Sequence, residues 1–210
     1  MTQTIELSIS DRSLSDAQLL LREYSHRINN EFASAIGVIS IAAARSPNDQ
    51  AKAALSAVRD QLQNYAQVHH ALQMPAHSTS IDAGAYLRRI CQAISRSKLD
   101  ARGIELLLME RPFQMESERC WRLGLIVSEL ITNAVRHAFH SGGGAICIEL
   151  LPSASFVECR VSDNGSGAPN VNHGHGLKII GALAESLGGR IDQQFGPRGA
   201  TSVLIFPLNP

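Results

Sequence analysis

Apolar residues recur at alternating steps of three and four through the first third of the chain. Leu21, Ile28, Phe32, Ala35, Ile39 and Ala42 form one such seam, with Ser25 on it. The seam predicts a helix from the N-cap chemistry of Leu14-Ser15-Asp16 to about Arg45. Residues 1–12 read as a short strand or a loose tail. Ser46-Pro47-Asn48-Asp49 joins turn and cap residues and breaks the pattern. A second seam, Ala51, Leu55, Val58, Leu62, Tyr65, His69 and Leu72, predicts a helix to about Gln73. Two such helices across a tight turn make a helical hairpin over 13–75. A hairpin cannot cover its broad apolar face alone, so a second copy is expected to complete a homodimeric four-helix bundle. His69, on the seam, reads as a packed core histidine.

A proline followed by small polar residues marks 76–81 as a linker, and the pattern then changes to mixed α and β over 82–210. Leu87, Ile90, Cys91 and Ile94 predict a helix over about 82–98, and Gly103–Met109 reads as a strand. A long helix is expected over about 117–139, then a hairpin with strands at about 145–151 and 155–162. A glycine-rich loop at 163–176, a helix at 177–187 and strands at 190–195 and 200–206 close the chain. This order predicts an α+β fold: an antiparallel or mixed sheet with helices on one face.

Composition narrows the function classes. The chain has 210 residues, 44% of them hydrophobic, enough for two modest cores. With 19 basic and 19 acidic residues, no net field favours nucleic acid or an anionic membrane. No apolar run approaches the roughly 20 residues that span a bilayer. The N-terminus lacks the pattern of a secretory signal, and the cysteines (Cys91, Cys120, Cys147, Cys159) stand singly. A cytoplasmic protein is expected.

Four stretches carry candidate chemistry. In Ser25-His26-Arg27-Ile28-Asn29-Asn30-Glu31, His26 lies about 100° from the seam, held on a rigid helix yet reachable. In Glu129-Leu130-Ile131-Thr132-Asn133-Ala134, the residues Glu129, Asn133 and Arg136 or His137 form one polar stripe on an apolar helix. A buried carboxylate and amide would be costly without a partner, and Mg²⁺ with phosphate oxygens is such a partner; a solvent-facing stripe is the alternative. Asp163-Asn164-Gly165-Ser166-Gly167 puts a carboxylate at a strand end before glycines that permit close approach of a flat base. Gly174-His175-Gly176-Leu177 opens a helix with exposed N–H groups, a cradle for phosphate or a plain turn. A metal site from His137, His140, His173 and His175 lacks clustered carboxylates.

In this order, the E-L-x-T-N-A helix, the D-x-G-x-G loop, the G-x-G-L helix start and the closing G-A-T-S-V-L-I-F-P strand resemble the nucleotide-binding domain of the GHKL ATPase superfamily. With H-R-I-N-N before them on a helical hairpin, the whole resembles a sensor histidine kinase of the HWE-related class, over about residues 16–207. The resemblance implies ATP and Mg²⁺ as cofactors, His26 as phospho-acceptor and Asn133 as the Mg²⁺ ligand, with Glu129 beside it as a support or general base. It implies Asp163 on the adenine amine, Gly165 and Gly167 shaping the base pocket, and Gly174, Gly176 and Leu177 at the phosphates. Arg136 and His137 stand where relatives place a phosphate contact, and Thr201 on the strand that closes the pocket. Asn30 would orient a water for the reverse reaction, or only pack.

The implied partners are a second copy through the hairpin, a response regulator receiver domain and a separate sensor protein, since fewer than 20 residues precede the hairpin. The chain departs from the commonest members in two ways. Arg27 follows the histidine where they carry an acid, leaving Glu23, Glu31 or Glu129 as candidate bases. Only 168–173 separates Gly167 from Gly174, a short lid. A histidine phosphotransfer protein, relaying phosphoryl groups between receiver domains without ATP, is the second reading; a non-catalytic scaffold is a third.

Overall fold

The computed structural model describes residues 3–75, 77, 79–139, 143–166 and 175–209, with side chains for all of these except 3–18 and His175. The expectations for Gly167, Gly174, the 168–173 segment, His140 and His173 lie outside the described residues. Two compact units divide the chain, Met1–Ala76 and His77–Pro210.

The first unit is a helical hairpin of α1 (Gln3–Arg45) and α2 (Asp49–Ala71). Residues 3–12 belong to α1, in place of the strand or tail expected there. Their serines, threonine and isoleucines favour extended backbone only weakly, and no proline interrupts the chain before Pro47. Asn48 caps α2, its Oδ1 accepting from the N–H groups of Gln50 (2.8 Å) and Ala51 (3.2 Å).

The contact face of α1 is rotated from the expected seam. Phe32, Ile39 and Ser25 are half-buried as expected, but their companions are Asn29, Ile36, Ser40 and Ala43. Leu21 (51% exposed) and Ile28 (40%), both on the expected seam, stay open with Tyr24 and Val38; so do Val58 and Tyr65 of α2. The physical reason is geometric. A heptad stripe is wider than one antiparallel neighbour can cover, so part of it remains free.

A polar contact sits inside the hairpin. Nδ1 of His69 lies 3.0 Å from Oδ1 of Asn29, and Phe32 tilts against the same ring at 6.1 Å.

The second unit packs helices on one face of a mixed five-stranded sheet, order β2-β4-β5-β7-β6. The strands are β2 (Ile104–Glu110), β4 (Gly144–Pro152), β5 (Phe156–Asp163), β6 (Arg190–Gly196) and β7 (Gly199–Pro207). β2 runs parallel to β4 and the other pairs are antiparallel. Two short strands absent from the expectation, β1 (Ser80–Asp82) and β3 (Gln114–Glu116), pair separately. At three residues each they are too brief to show alternation in sequence.

The covering helices are α3 (Ala83–Ile94), α4 (Ser117–His137) and α5 (His175–Ser186). α3 ends earlier than expected, passing into a π turn at Ser95–Leu99 and a 3₁₀ turn at Asp100–Arg102. The core lies between layers. Leu87, Ile90 and Ile94 of α3, Leu123, Ile126 and Ile131 of α4 and Ile180 of α5 meet Ile146, Ile148, Leu150, Val157 and Phe206 of the sheet, all fully buried. Each such side chain contributes about 1.5–3 kcal/mol. Buried Arg119 ties α4 to the chain end, donating to the carbonyls of Leu208 (2.7 Å) and Pro207 while its guanidinium stacks on Phe206.

Two predictions follow from burial. It pushes the thiols of Cys91, Cys120 and Cys159 up to about 12, whereas Cys147 is only half-buried. A thiol reagent added to folded protein is expected to label Cys147 alone and the other three on unfolding, read by peptide mass; uniform labelling would contradict the core. For His69, burial lowers the pKa, with His70 adding to the effect. The unfolded chain therefore binds that proton more tightly, and stability falls as pH drops through the ordinary imidazole range, about 6.5. The helical signal is expected to melt at lower temperature at pH of about 5.5 than at about 7.5, with a flatter dependence in His69→Gln.

Candidate functional site

Two groups of side chains answer the sequence expectations, one in each unit. On α1, His26 is exposed, and its Nδ1 lies 3.4 Å from the amide nitrogen of Asn30, one turn on. Arg27 and Glu23 pair with each other at 2.9 Å, one turn apart and solvent-exposed. The two adjacent amides thus face different neighbours. Asn29 turns into the hairpin toward His69, and Asn30 toward His26.

In the second unit the polar stripe of α4 lies away from the core. Glu129 and Asn133 are half-buried, and Arg136 and His137 are exposed. The start of α5 comes against this stripe. A Cβ placed on Gly176 would stand 2.3 Å from Oε1 of Glu129. Glycine at this point lets backbone approach a carboxylate more closely than any other residue allows. Leu177 follows, half-buried, and Lys178 is exposed. Arg122, two turns before Glu129, donates to the carbonyl of Ser186 at 3.4 Å. α5 therefore runs antiparallel to α4 and begins near Glu129, leaving Asn133 one turn further along.

Asp163 ends β5 half-buried, and its Oδ1 accepts from the N–H of Gly165 at 3.0 Å, a turn closed by a carboxylate. The loop then presses on the end of α4. Ser166 N–H donates to the carbonyl of Ala138 at 3.0 Å, and a Cβ on Gly165 would stand 2.4 Å from that oxygen. The strand end and the helix end are thereby locked together.

Thr201 is placed differently. Paired residues of an antiparallel ladder share a face and successive residues alternate. Thr201 pairs with Ser162, so it occupies the open face of the sheet while its neighbour Asp163 belongs to the helix-covered one. The two side chains are not brought together.

Supporting residues escaped the sequence reading. Asn164 brackets Ala145, its N–H donating to the Ala145 carbonyl (3.2 Å) and its Oδ1 accepting from the Ala145 N–H (2.8 Å). Its position inside the Asp-x-Gly loop was the available signal. Gly199 adopts φ +118 where a Cβ would strike the carbonyl of Asp163. Arg102 donates to the carbonyls of Val135 (3.0 Å) and Phe139 (2.8 Å), capping the C-terminal end of α4. Nothing local in the sequence announces that cap. Among the described residues, no three His, Cys, Asp or Glu side chains gather as a metal cluster, and no helix is long and apolar enough to cross a membrane.

The chain is similar to known proteins in both units. Residues 23–98 match the family described as Histidine kinase. Residues 121–210 match the family described as Histidine kinase-, DNA gyrase B-, and HSP90-like ATPase. The sensor histidine kinase PdtaS of Mycolicibacterium smegmatis is 26% identical over 212 residues, 95% of this chain and 42% of its own length. Blue-light-activated histidine kinase 2 of Erythrobacter litoralis is 30% identical over 200 residues, 90% of this chain and 57% of its own. The chain thus spans about half the length of the curated relatives it matches. The solved histidine kinase domain of Erythrobacter litoralis EL346 shares the fold, with a TM-score of 0.61 at 23% identity over 84% of this chain and 96% of that one.

Two glycines provide opposite tests of the geometry. Gly165→Ala forces the loop off Ala138 and is expected to cost about 1–3 kcal/mol. Gly37, inside α1 with nothing within 4 Å of its added Cβ, is expected to gain about 0.5–1 kcal/mol as alanine. Denaturant titration of both variants measures the two signs.

Proposed function

We propose that the chain, similar to histidine kinases in both of its units, phosphorylates His26 from Mg-ATP and passes the phosphoryl group to an aspartate of a response regulator receiver domain. The observation that carries the reading is the juxtaposition on α4. A half-buried carboxylate and amide, Glu129 and Asn133, stand beside a helix start that glycine brings against them.

The residues present suit the implied cofactors. Side-chain oxygens of Asn133 and Glu129 are the hard donors that Mg²⁺ takes, and Gly176 brings the first turn of α5 against Glu129, where its backbone N–H groups would face an anion. Asn133 would hold the ion, with Glu129 beside it. Bound there, Mg²⁺ neutralises charge on the phosphate oxygens. Asp163, fixed by Gly165 and by the bracket of Asn164 on Ala145, would accept from the adenine amine. Gly165, pressed on the end of α4, lines that side, and Gly167 and Gly174 continue the same motifs in sequence. Gly176 and Leu177 would face the phosphates from the first turn of α5, and Arg136 and His137 would lend polar contacts from the exposed end of α4. Thr201 would stand on the late strand β7, paired with Ser162 next to Asp163.

His26 supplies the nucleophile. A ring nitrogen bonds to the γ-phosphorus as the bridging oxygen leaves with ADP. The exposed Leu21, Tyr24, Ile28 and Val38 of α1 and Val58 and Tyr65 of α2 support a second copy completing a four-helix bundle. A separate sensor protein would deliver the input. The free cysteines accord with a cytoplasmic setting.

The test is label from γ-labelled ATP with Mg²⁺ in wild type, His26→Ala and Asn133→Ala. Acid-labile label is expected in wild type, none in His26→Ala, and a loss of about 100-fold or more in Asn133→Ala. Wild type that takes label only from a phosphorylated receiver domain would make the protein a phosphotransfer relay. Label that survives His26→Ala would remove that residue from the acceptor role.

A further inference from the structure

An imidazole attacks phosphorus through one nitrogen, and whatever binds the other nitrogen decides which. Neutral histidine carries one N–H and one lone pair, so a hydrogen bond at Nδ1 sets the chemistry of Nε2. Around His26 the charged neighbours in sequence are withdrawn, because Arg27 and Glu23 hold each other at 2.9 Å. Asn29 is turned inward to His69. The side chain at the ring is Asn30, whose amide is placed with its nitrogen 3.4 Å from Nδ1.

A carboxamide presents oxygen or nitrogen to that point with nearly the same outline, and the two orientations have opposite consequences. An amide N–H donated to Nδ1 leaves the ring proton on Nε2 and no free lone pair. An amide oxygen accepting from Nδ1–H leaves the Nε2 lone pair open on the far edge of an exposed ring. Only the second arrangement holds a nucleophile ready.

We propose that Asn30 is a positioning residue for the phospho-acceptor, its carboxamide oxygen holding His26 with the proton on Nδ1 so that Nε2 attacks. This rests on the reading of His26 as the acceptor. The neutral amide fills the place of the carboxylate that Arg27 displaces from the following position. In the transfer, the Nε2 lone pair forms the N–P bond while the bond from phosphorus to the bridging oxygen breaks, and ADP leaves with that electron pair. The ring then carries a positive charge, relieved by loss of the Nδ1 proton. The amide cannot take this proton, so it passes to water, which reaches the exposed ring.

The experiment is ¹⁵N NMR of the full chain labelled at histidine, in mildly alkaline solution where imidazole is neutral. His26 is assigned by the signals lost in His26→Ala. The Nδ1–H tautomer is expected to dominate in wild type and in Asn30→Asp. In Asn30→Leu the ring is expected to return to the Nε2–H tautomer that free histidine favours in water. Phosphorylation from Mg-ATP should fall on the order of 10-fold in Asn30→Leu with KM for ATP unchanged, and recover in Asn30→Asp. Helix packing alone would move neither the tautomer nor its rescue by aspartate. An Nε2–H tautomer in wild type, or the same tautomer ratio in wild type and Asn30→Leu, overturns the proposal. The NMR arm needs no ATP. A wild type with the Nδ1–H tautomer that takes no label would therefore support the positioning and count against the kinase reading.

Discussion

Burial of the apolar face of α4 is the constraint on which the second unit depends. Leu123, Ile126, Val127 and Ile131 are fully shielded, so the helix has one rotation about its axis in which the core is complete. That rotation puts Glu129 and Asn133 on the flank. The helix is also held at both ends. Arg119 binds its beginning to the carbonyls of the last strand, and Arg102 and the Gly165–Ser166 turn take up the carbonyls at its other end. A polar stripe fixed this way needs no side-chain network of its own to be oriented.

The glycines of the unit divide by what they touch. At Gly165 and Gly199 an added Cβ would meet backbone, the Ala138 carbonyl in one case and the Asp163 carbonyl in the other, and backbone cannot swing aside. At Gly176 it would meet the end of a glutamate, which can. The first two hold the fold of the Asp163 loop. Gly176 sets the spacing between α5 and the stripe.

The hairpin works by a different division. Adjacent asparagines on α1 lie about 100° apart, so one joins the contact with α2 and the other lies beside His26. The inward contact of Asn29 with His69 adds directionality to an interface that is otherwise small and sparsely apolar, with Ala43 as the sole fully shielded apolar residue of α1 among those described. The outward one leaves the imidazole on a rigid backbone and open to solvent.

Periodicity determined most of the architecture, because it registers every residue that must turn away from water: the two long helices, the hairpin, α4, the five long strands and their one covered face. Motif order likewise singled out His26, Asn133 and Asp163, since each stands in a short pattern of residue types that the sequence displays directly. Tertiary structure decided what depends on contacts between distant segments. The Arg102 cap joins residues more than 30 positions apart, and the pairing of Ser162 with Thr201 settles which face Thr201 occupies. The turn of α1 that brings Asn29 and Ile36 inward and leaves Leu21 open follows from where α2 lies. Local sequence records the preference of each segment for water or oil. Which preference is met, and against what, belongs to the packing.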